Sequence, residues 1–192
     1  MKITSLSLAE VKLIEPQVFK DNRGEFLEIY TERSFQKAGI ECQFVQDCHS
    51  LTCEANVVRG LHFQSPPHAQ SKLIRVTQGR LWDVVVDIRK GSPTFAQHVG
   101  VELSARSFNM LFLPAGFAHG FATLEANTEI QYKMDDYYAP DHDGGILWND
   151  PALAIDWPVD ADTAILSEKD AVLPKLADLE PPFNYSMMQA AN

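Results

Sequence analysis

The chain has 192 residues, 45 % of them apolar, which suits one domain with a sizeable core and is too many for a disordered chain. Lys and Arg number 16 against 26 Asp and Glu, a formal net charge of −10 that repels a phosphate backbone and disfavours nucleic acid as a partner. No apolar run approaches the roughly 20 residues that span a bilayer, the first residues (M-K-I-T-S-L) lack a signal peptide's apolar stretch, and Cys42, Cys48 and Cys53 lack C-x-x-C spacing, so the expectation is a cytoplasmic protein with reduced thiols.

In chain order, the first predicted element is a short helix over Thr31 to Ala38, closed by Gly39. Short runs rich in β-branched and aromatic residues follow: Phe44 to Gln46, Val57 to Phe63, Lys72 to Thr77, Leu81 to Ile88, Val99 to Leu103, Phe108 to Leu113 and Glu129 to Met134. Turn signals such as Ser65-Pro66-Pro67, Gly91-Ser92-Pro93 and Pro114-Ala115-Gly116 separate them, and Gln78-Gly79 reads as a hairpin turn. Many short strands at this spacing predict an all-β sandwich or barrel. Ser167 to Asp170 has the spacing of a helix start, and about 177–192, with Pro181-Pro182 and a polar end, reads as a tail on a single domain.

Strand side chains alternate between faces, so polar residues in phase with apolar ones mark a candidate interior site. Lys72 is in phase with Ile74 and Val76, Tyr132 with Ile130 and Met134, and His62 with Gly60 and Val58. An amine, a phenol and an imidazole are costly to bury unless paired or used. Each also has a structural reading. His62 could be a satisfied strand histidine, Lys72 could reach its amine to the rim, and Tyr132 could bond a carbonyl. Asp170 could be the partner of a capping box headed by Ser167, and Arg23 and Arg59 could be surface ion-pair members.

Several segments decide between these readings: F-K-D-N-R-G-E-F-L-E from Phe19, F-V-Q-D from Phe44, V-V-R-G-L-H-F-Q from Val57 and Q-S-K-L-I-R-V from Gln70. D-V-V-V-D-I-R-K-G-S-P-T-F from Asp83, F-L-P-A-G-F-A-H-G-F from Phe112, G-I-L-W-N-D-P from Gly145 and L-S-E-K-D from Leu166 continue the series. In this order the chain, from about Ile14 to Leu176, resembles the dTDP-4-dehydrorhamnose 3,5-epimerases. The resemblance implies a cupin-type jelly roll and a homodimer in which the N-terminal strand region of one chain completes the partner's site. It implies inversion at C3 and C5 of a dTDP-4-keto-6-deoxy-glucose toward the L-rhamnose of cell-surface polysaccharide, with no cofactor.

The resemblance also assigns roles. His62 is the base, Asp170 orients it, Lys72 stabilises charge on the C4 oxygen, and Tyr132 donates a proton on the opposite ring face. Arg23, Glu28, Gln46, Asp47, Arg59, His119, Asp143 and Lys169 clamp the diphosphate, thymine and sugar, with Tyr138 stacked on the thymine. Three positions depart from the family's pattern: Cys48 stands where Asn is usual after Q-D, Ser71 where Gly precedes the lysine, and Asp143 where Glu is usual. Cys48 therefore replaces one polar contact to the nucleotide.

Three other functions fit parts of the pattern. P-A-G-F-A-H matches half of a metal cupin, but His62 is followed by Gln64 where an H-x-H pair is needed, so a metal site is not expected. A single-centre epimerase, inverting only C3 or C5, would share His62, Lys72 and Asp170. A nucleotide-sugar binder without chemistry has no need of the base and acid.

Overall fold

A computed structural model describes residues 1–186. The strands in chain order are β1 (Lys2–Ser5), β2 (Lys12–Glu15), β3 (Val18–Asp21), β4 (Gly24–Leu27), β5 (Gln46–Thr52), β6 (Val58–Gln64), β7 (Lys72–Gln78) and β8 (Arg80–Asp87). They continue with β9 (Arg89–Lys90), β10 (His98–Ser104), β11 (Met110–Leu113), β12 (Phe117–Thr123), β13 (Thr128–Met134), β14 (Asp143–Gly145) and β15 (Phe183–Asn184). Two short helices, α1 (Glu32–Lys37) and α2 (Glu168–Ala171), lie at the periphery.

The strands form two facing sheets, one of six in the order β1-β2-β11-β7-β13-β5 and one of five in the order β10-β8-β12-β6-β14. Apolar side chains from both inner faces fill the space between them. Ile74 and Val76 (β7), Leu111 and Leu113 (β11) and Ile130 (β13) meet Leu81 and Val85 (β8) and Phe117 and Phe121 (β12), all buried. Burial of this apolar surface is the main force holding the sheets together. The result is the all-β sandwich that the strand spacing predicts.

Gly79, at φ +74°, turns the chain where an added Cβ would meet Thr128 Oγ1 at 2.5 Å. The strands on either side of it do not pair, contrary to the hairpin reading: β7 lies in the six-stranded sheet and β8 in the five-stranded one. The turn passes the chain between layers. The strand expected at Phe44 to Gln46 starts instead at Gln46 and runs to Thr52. Strand β12 escaped the alternation rule because all seven of its residues are buried, which leaves no polar face to alternate.

The predicted helix over Thr31 to Ala38 forms as α1, which ends before Gly39 at φ +76°. The segment read as a tail is partly built in. Phe183 is buried against the Leu61 and Phe63 cluster, and β15 pairs in parallel with β9. The remainder of that segment, residues 187–192, lies outside the described residues.

Candidate active site

Antiparallel pairing puts partnered residues on the same face of a sheet. Between β12 and β6, His119 partners His62, whereas Phe121 partners Arg59. Two steps on β12 therefore match three on β6, and the extra residue is a bulge at Gly60 and Leu61. Gly60 has φ +105°, and a Cβ there would lie 2.6 Å from the His119 carbonyl oxygen. Only glycine suits this position, in both backbone and space.

The bulge corrects the parity argument for His62. Gly60 and Val58 do not share its face, and Val58 packs outward against Ala122 and Trp148. Arg59 and His62 point the same way because of the extra residue, and both face the interior with His119 and Phe121. For Lys72 and Tyr132 simple alternation holds: Ile74, Val76 and Ile130, their in-phase neighbours, lie in the central core.

His62 is partly buried, its side chain 30 % exposed, and its Nε2 lies 2.7 Å from Asp170 Oδ1. Asp170 Oδ2 accepts from the Gly60 backbone N–H at 3.2 Å. Ser167 caps α2 by accepting from Asp170 N, but the Asp170 side chain is turned away from the cap and toward β6. Asp170 is thus more than a capping-box member, because both of its oxygens serve the histidine strand. With Nε2–H donated to Asp170, the lone pair remains on Nδ1. Burial holds the His62 pKa below its usual 6.5, against the raising pull of Asp170, and the nearby Lys72 and Lys169 charges add to the lowering. The ring is neutral at pH 7 and able to take a proton.

Tyr132 belongs to the other sheet. Its hydroxyl lies 3.4 Å from Ser50 Oγ, and burial pushes its pKa up to about 12. It therefore keeps its proton at any ordinary pH. Lys72 starts β7 in that same sheet. Burial lowers its pKa, opposed by the Asp143 and Asp83 charges, and among the described residues no hydrogen bond or ion pair holds its ammonium. His119 is 5 % exposed, and its Nε2 lies 3.0 Å from Asp83 Oδ2.

At the rim, Asp143 is bridged to Lys169 Nζ and accepts from the Tyr138 hydroxyl at 3.3 Å. Gln46 accepts from Tyr138 N at 3.0 Å and donates to Cys48 Sγ at 3.3 Å. Tyr138 is 59 % exposed, an aromatic face open at the rim. Arg59 donates to Thr52 Oγ1 at 3.4 Å and, among the described residues, has no carboxylate partner. Its cation is thus available to an anion.

Three expected binding residues stand apart. Asp47 alternates to the outer face of the six-stranded sheet, where Lys133 holds it by contacts of 2.9 Å to both oxygens. Arg23 sits at the tip of the β3–β4 hairpin, its side chain 85 % exposed and bonded to Asp21. Glu28 accepts from Thr31 Oγ1 at 3.1 Å. Among the described residues the hairpin pairs with no other strand, so Arg23 stays apart from the two main sheets.

Two groups escaped sequence reasoning. Ser50 gave no signal beyond its place in phase with Gln46 and Cys48. Asp83 had one: a carboxylate inside the apolar strand run L-W-D-V-V-V is worth asking about wherever it occurs.

Comparison with known proteins turns this geometry into a family. The profile described as dTDP-4-dehydrorhamnose 3,5-epimerase matches residues 5–178. The dTDP-4-dehydrorhamnose 3,5-epimerase of Sinorhizobium fredii is 50 % identical over 185 residues, 96 % of this chain and 94 % of that one.

The chain belongs to the dTDP-4-dehydrorhamnose 3,5-epimerase family.

Solved structures of this epimerase family agree. The Bacillus anthracis enzyme, with TDP and PPi bound, superposes with a TM-score of 0.87 at 50 % identity, covering 91 % of this chain and 98 % of that one. The Legionella pneumophila enzyme, in complex with dTDP-4-keto-L-rhamnose, gives 0.91 at 42 % identity over 96 % and 98 %. The all-β sandwich is the cupin-like fold of these epimerases, and among the described residues no helix is long and apolar enough to cross a membrane.

Proposed function

We propose that the chain converts dTDP-4-dehydro-6-deoxy-D-glucose to dTDP-4-dehydro-L-rhamnose by side-chain proton transfer, with His62 as base and Tyr132 as acid. The observation that carries this reading is the pair of opposed groups. His62, oriented by Asp170 at 2.7 Å, comes from the five-stranded sheet, and Tyr132 comes from the six-stranded sheet facing it. Inverting a carbon requires a proton to leave one face and another to arrive on the opposite face.

The C–H bonds at C3 and C5 flank the C4 ketone. His62 Nδ1 takes the proton, and the bonding pair moves into the ring so that the C4 oxygen becomes an enolate. The Lys72 ammonium stabilises that charge in a water-poor site, where it counts for more than in bulk water. Tyr132 returns a proton to carbon from the other side, and the ketone re-forms. The imidazolium and phenolate then exchange with solvent. Nothing is oxidised or reduced overall, so the reaction asks for no redox cofactor.

Arg59, His119, Lys169, Asp143, Gln46 and the open ring of Tyr138 would hold the nucleotide and sugar. The β3–β4 hairpin would bring Arg23 and Glu28 to the site of a second copy. Its unpaired edges and the exposed cross-strand pair Phe19 and Phe26, 56 % and 71 % exposed, support a contact outside the chain. Asp47 would act through its backbone, since its side chain faces away.

Proton NMR of the substrate incubated with the protein in D2O tests the reading. Deuterium at both C3 and C5 is the expected result. Exchange at one carbon would make it a single-centre epimerase, and exchange at neither would leave a binder.

A further inference from the structure

Asp83 lies on the inner face of β8 and is completely buried. Its Oδ2 is held by His119 at 3.0 Å, while Oδ1 is buried with no hydrogen-bond partner among the described residues. A half-satisfied buried carboxylate costs stability, and an apolar residue would suit the surrounding core better. Something other than packing has to account for it. On the opposite sheet, Lys72 likewise has no hydrogen-bond acceptor or ion-pair partner among the described residues, and the Asp143 and Asp83 charges act on it.

We propose that Asp83 is a positioning residue of this site: one oxygen fixes the His119 ring, and the carboxylate's charge keeps the facing Lys72 an ammonium ready for the enolate. The inference rests on the role given to Lys72 above.

The groups around Lys72 single out Asp83. The negative groups are Asp83 from β8, Asp143 from β14 and Asp135, whose carboxylate accepts from Ser71 N at 2.6 Å. Asp143 is already engaged by Lys169 and Tyr138, and Asp135 by Ser71. Of the three, only Asp83 has a buried oxygen with no hydrogen-bond partner among the described residues. Lys169 from α2 and Arg59 from β6 are the positive groups of this region, Lys169 acting with Lys72 on the His62 ring and Arg59 acting on the Tyr132 hydroxyl. His62, His119 and Tyr132 are the other titratable groups of the inner faces here. Burial lowers the Lys72 pKa, and the Asp143 and Asp83 charges counter it. The same burial raises the Asp83 pKa, while His119 and Lys72 pull it down.

The test follows Lys72 directly, through its 13Cε resonance in lysine-labelled protein, assigned by its loss in Lys72→Ala. In Asp83→Asn the midpoint should fall by about one pH unit, the usual scale for loss of one nearby opposite charge. The alkaline limb of C3 deuterium exchange should fall with it. Thermal stability should not drop, because an unsatisfied charge has been removed. A folded variant with an unmoved Lys72 midpoint would overturn the proposal, as would a large loss of stability with no shift, which is the mark of a purely structural group. If Asp83→Asn does not fold, Asp83→Leu removes the same charge in a form suited to the core and carries the same expectation. A midpoint that falls while the exchange limb stays put would uphold the Asp83–Lys72 coupling and overturn the catalytic role of Lys72 instead.

Discussion

Two histidine–carboxylate pairs stand side by side in this sandwich, on the partnered residues His62 and His119, and they differ in completeness. Asp170 is satisfied on both oxygens, by the His62 ring and the Gly60 amide, and its histidine opens to the cavity. Among the described residues Asp83 is satisfied on one oxygen only, and its histidine is 5 % exposed. The first pair holds its ring by the carboxylate while leaving the His62 side chain 30 % exposed. The second is sealed inside the sandwich. Similar residue pairs thus do different work according to exposure and to what the second oxygen meets.

The comparison breaks most sharply at His62. His62→Asn should lower deuterium exchange at both carbons by about 10²- to 10⁴-fold, the usual contribution of a general base, with an unchanged circular dichroism spectrum. Near-normal exchange at either carbon would remove His62 as the sole base. Tyr132→Phe should come next, with C5 inversion reduced more than loss of the C3 proton. Equal losses, read from the two NMR signals, would show that the donor is misassigned.

Asp170→Asn sharpens the contrast with Asp83. It should lower kcat by roughly 10- to 100-fold and also lower the melting temperature, since the Gly60 amide and the His62 ring lose a charged acceptor. Asp83→Asn should leave the melting temperature level or raise it. If both variants melt at the same temperature, the two pairs are equivalent after all.

A gentler probe is pH. His62 must be neutral to act, and burial puts its folded pKa below 6.5, so activity should be full at pH 7 and fall only as pH drops through a midpoint under 6.5. An acid limb centred above 6.5 would mean that Asp170, not burial, governs the ring. The smallest effect is expected at Ser50: Ser50→Ala removes one long contact to Tyr132 and should slow turnover less than about tenfold, a single weak hydrogen bond's worth.

Alternation in the sequence was enough to put Lys72 and Tyr132 on the inner face, because the stretches of β7 and β13 around them keep a regular register. It was not enough for His62. There the sequence reads as an ordinary run while the backbone inserts an extra residue at Gly60, and the tertiary contact that demands it, the close approach of β12, is invisible locally. Asp47 shows the converse, since a motif can match a family while the matched side chain points the other way. Asp83 was hidden by context of another kind: its importance depends on an oxygen left without a donor, and no sequence records that. The facing sheets themselves were legible because β-branched runs and turn residues recur along the chain.

The bond between His62 and Asp170 spans 108 residues, and every strand of the two main sheets lies before residue 146. A growing chain therefore makes every strand of the two main sheets before it makes the residue that orients His62. Between those two moments the nascent protein has walls but no poised imidazole. The carboxylate that orients His62 comes late in the order of synthesis, on a helix of only four residues.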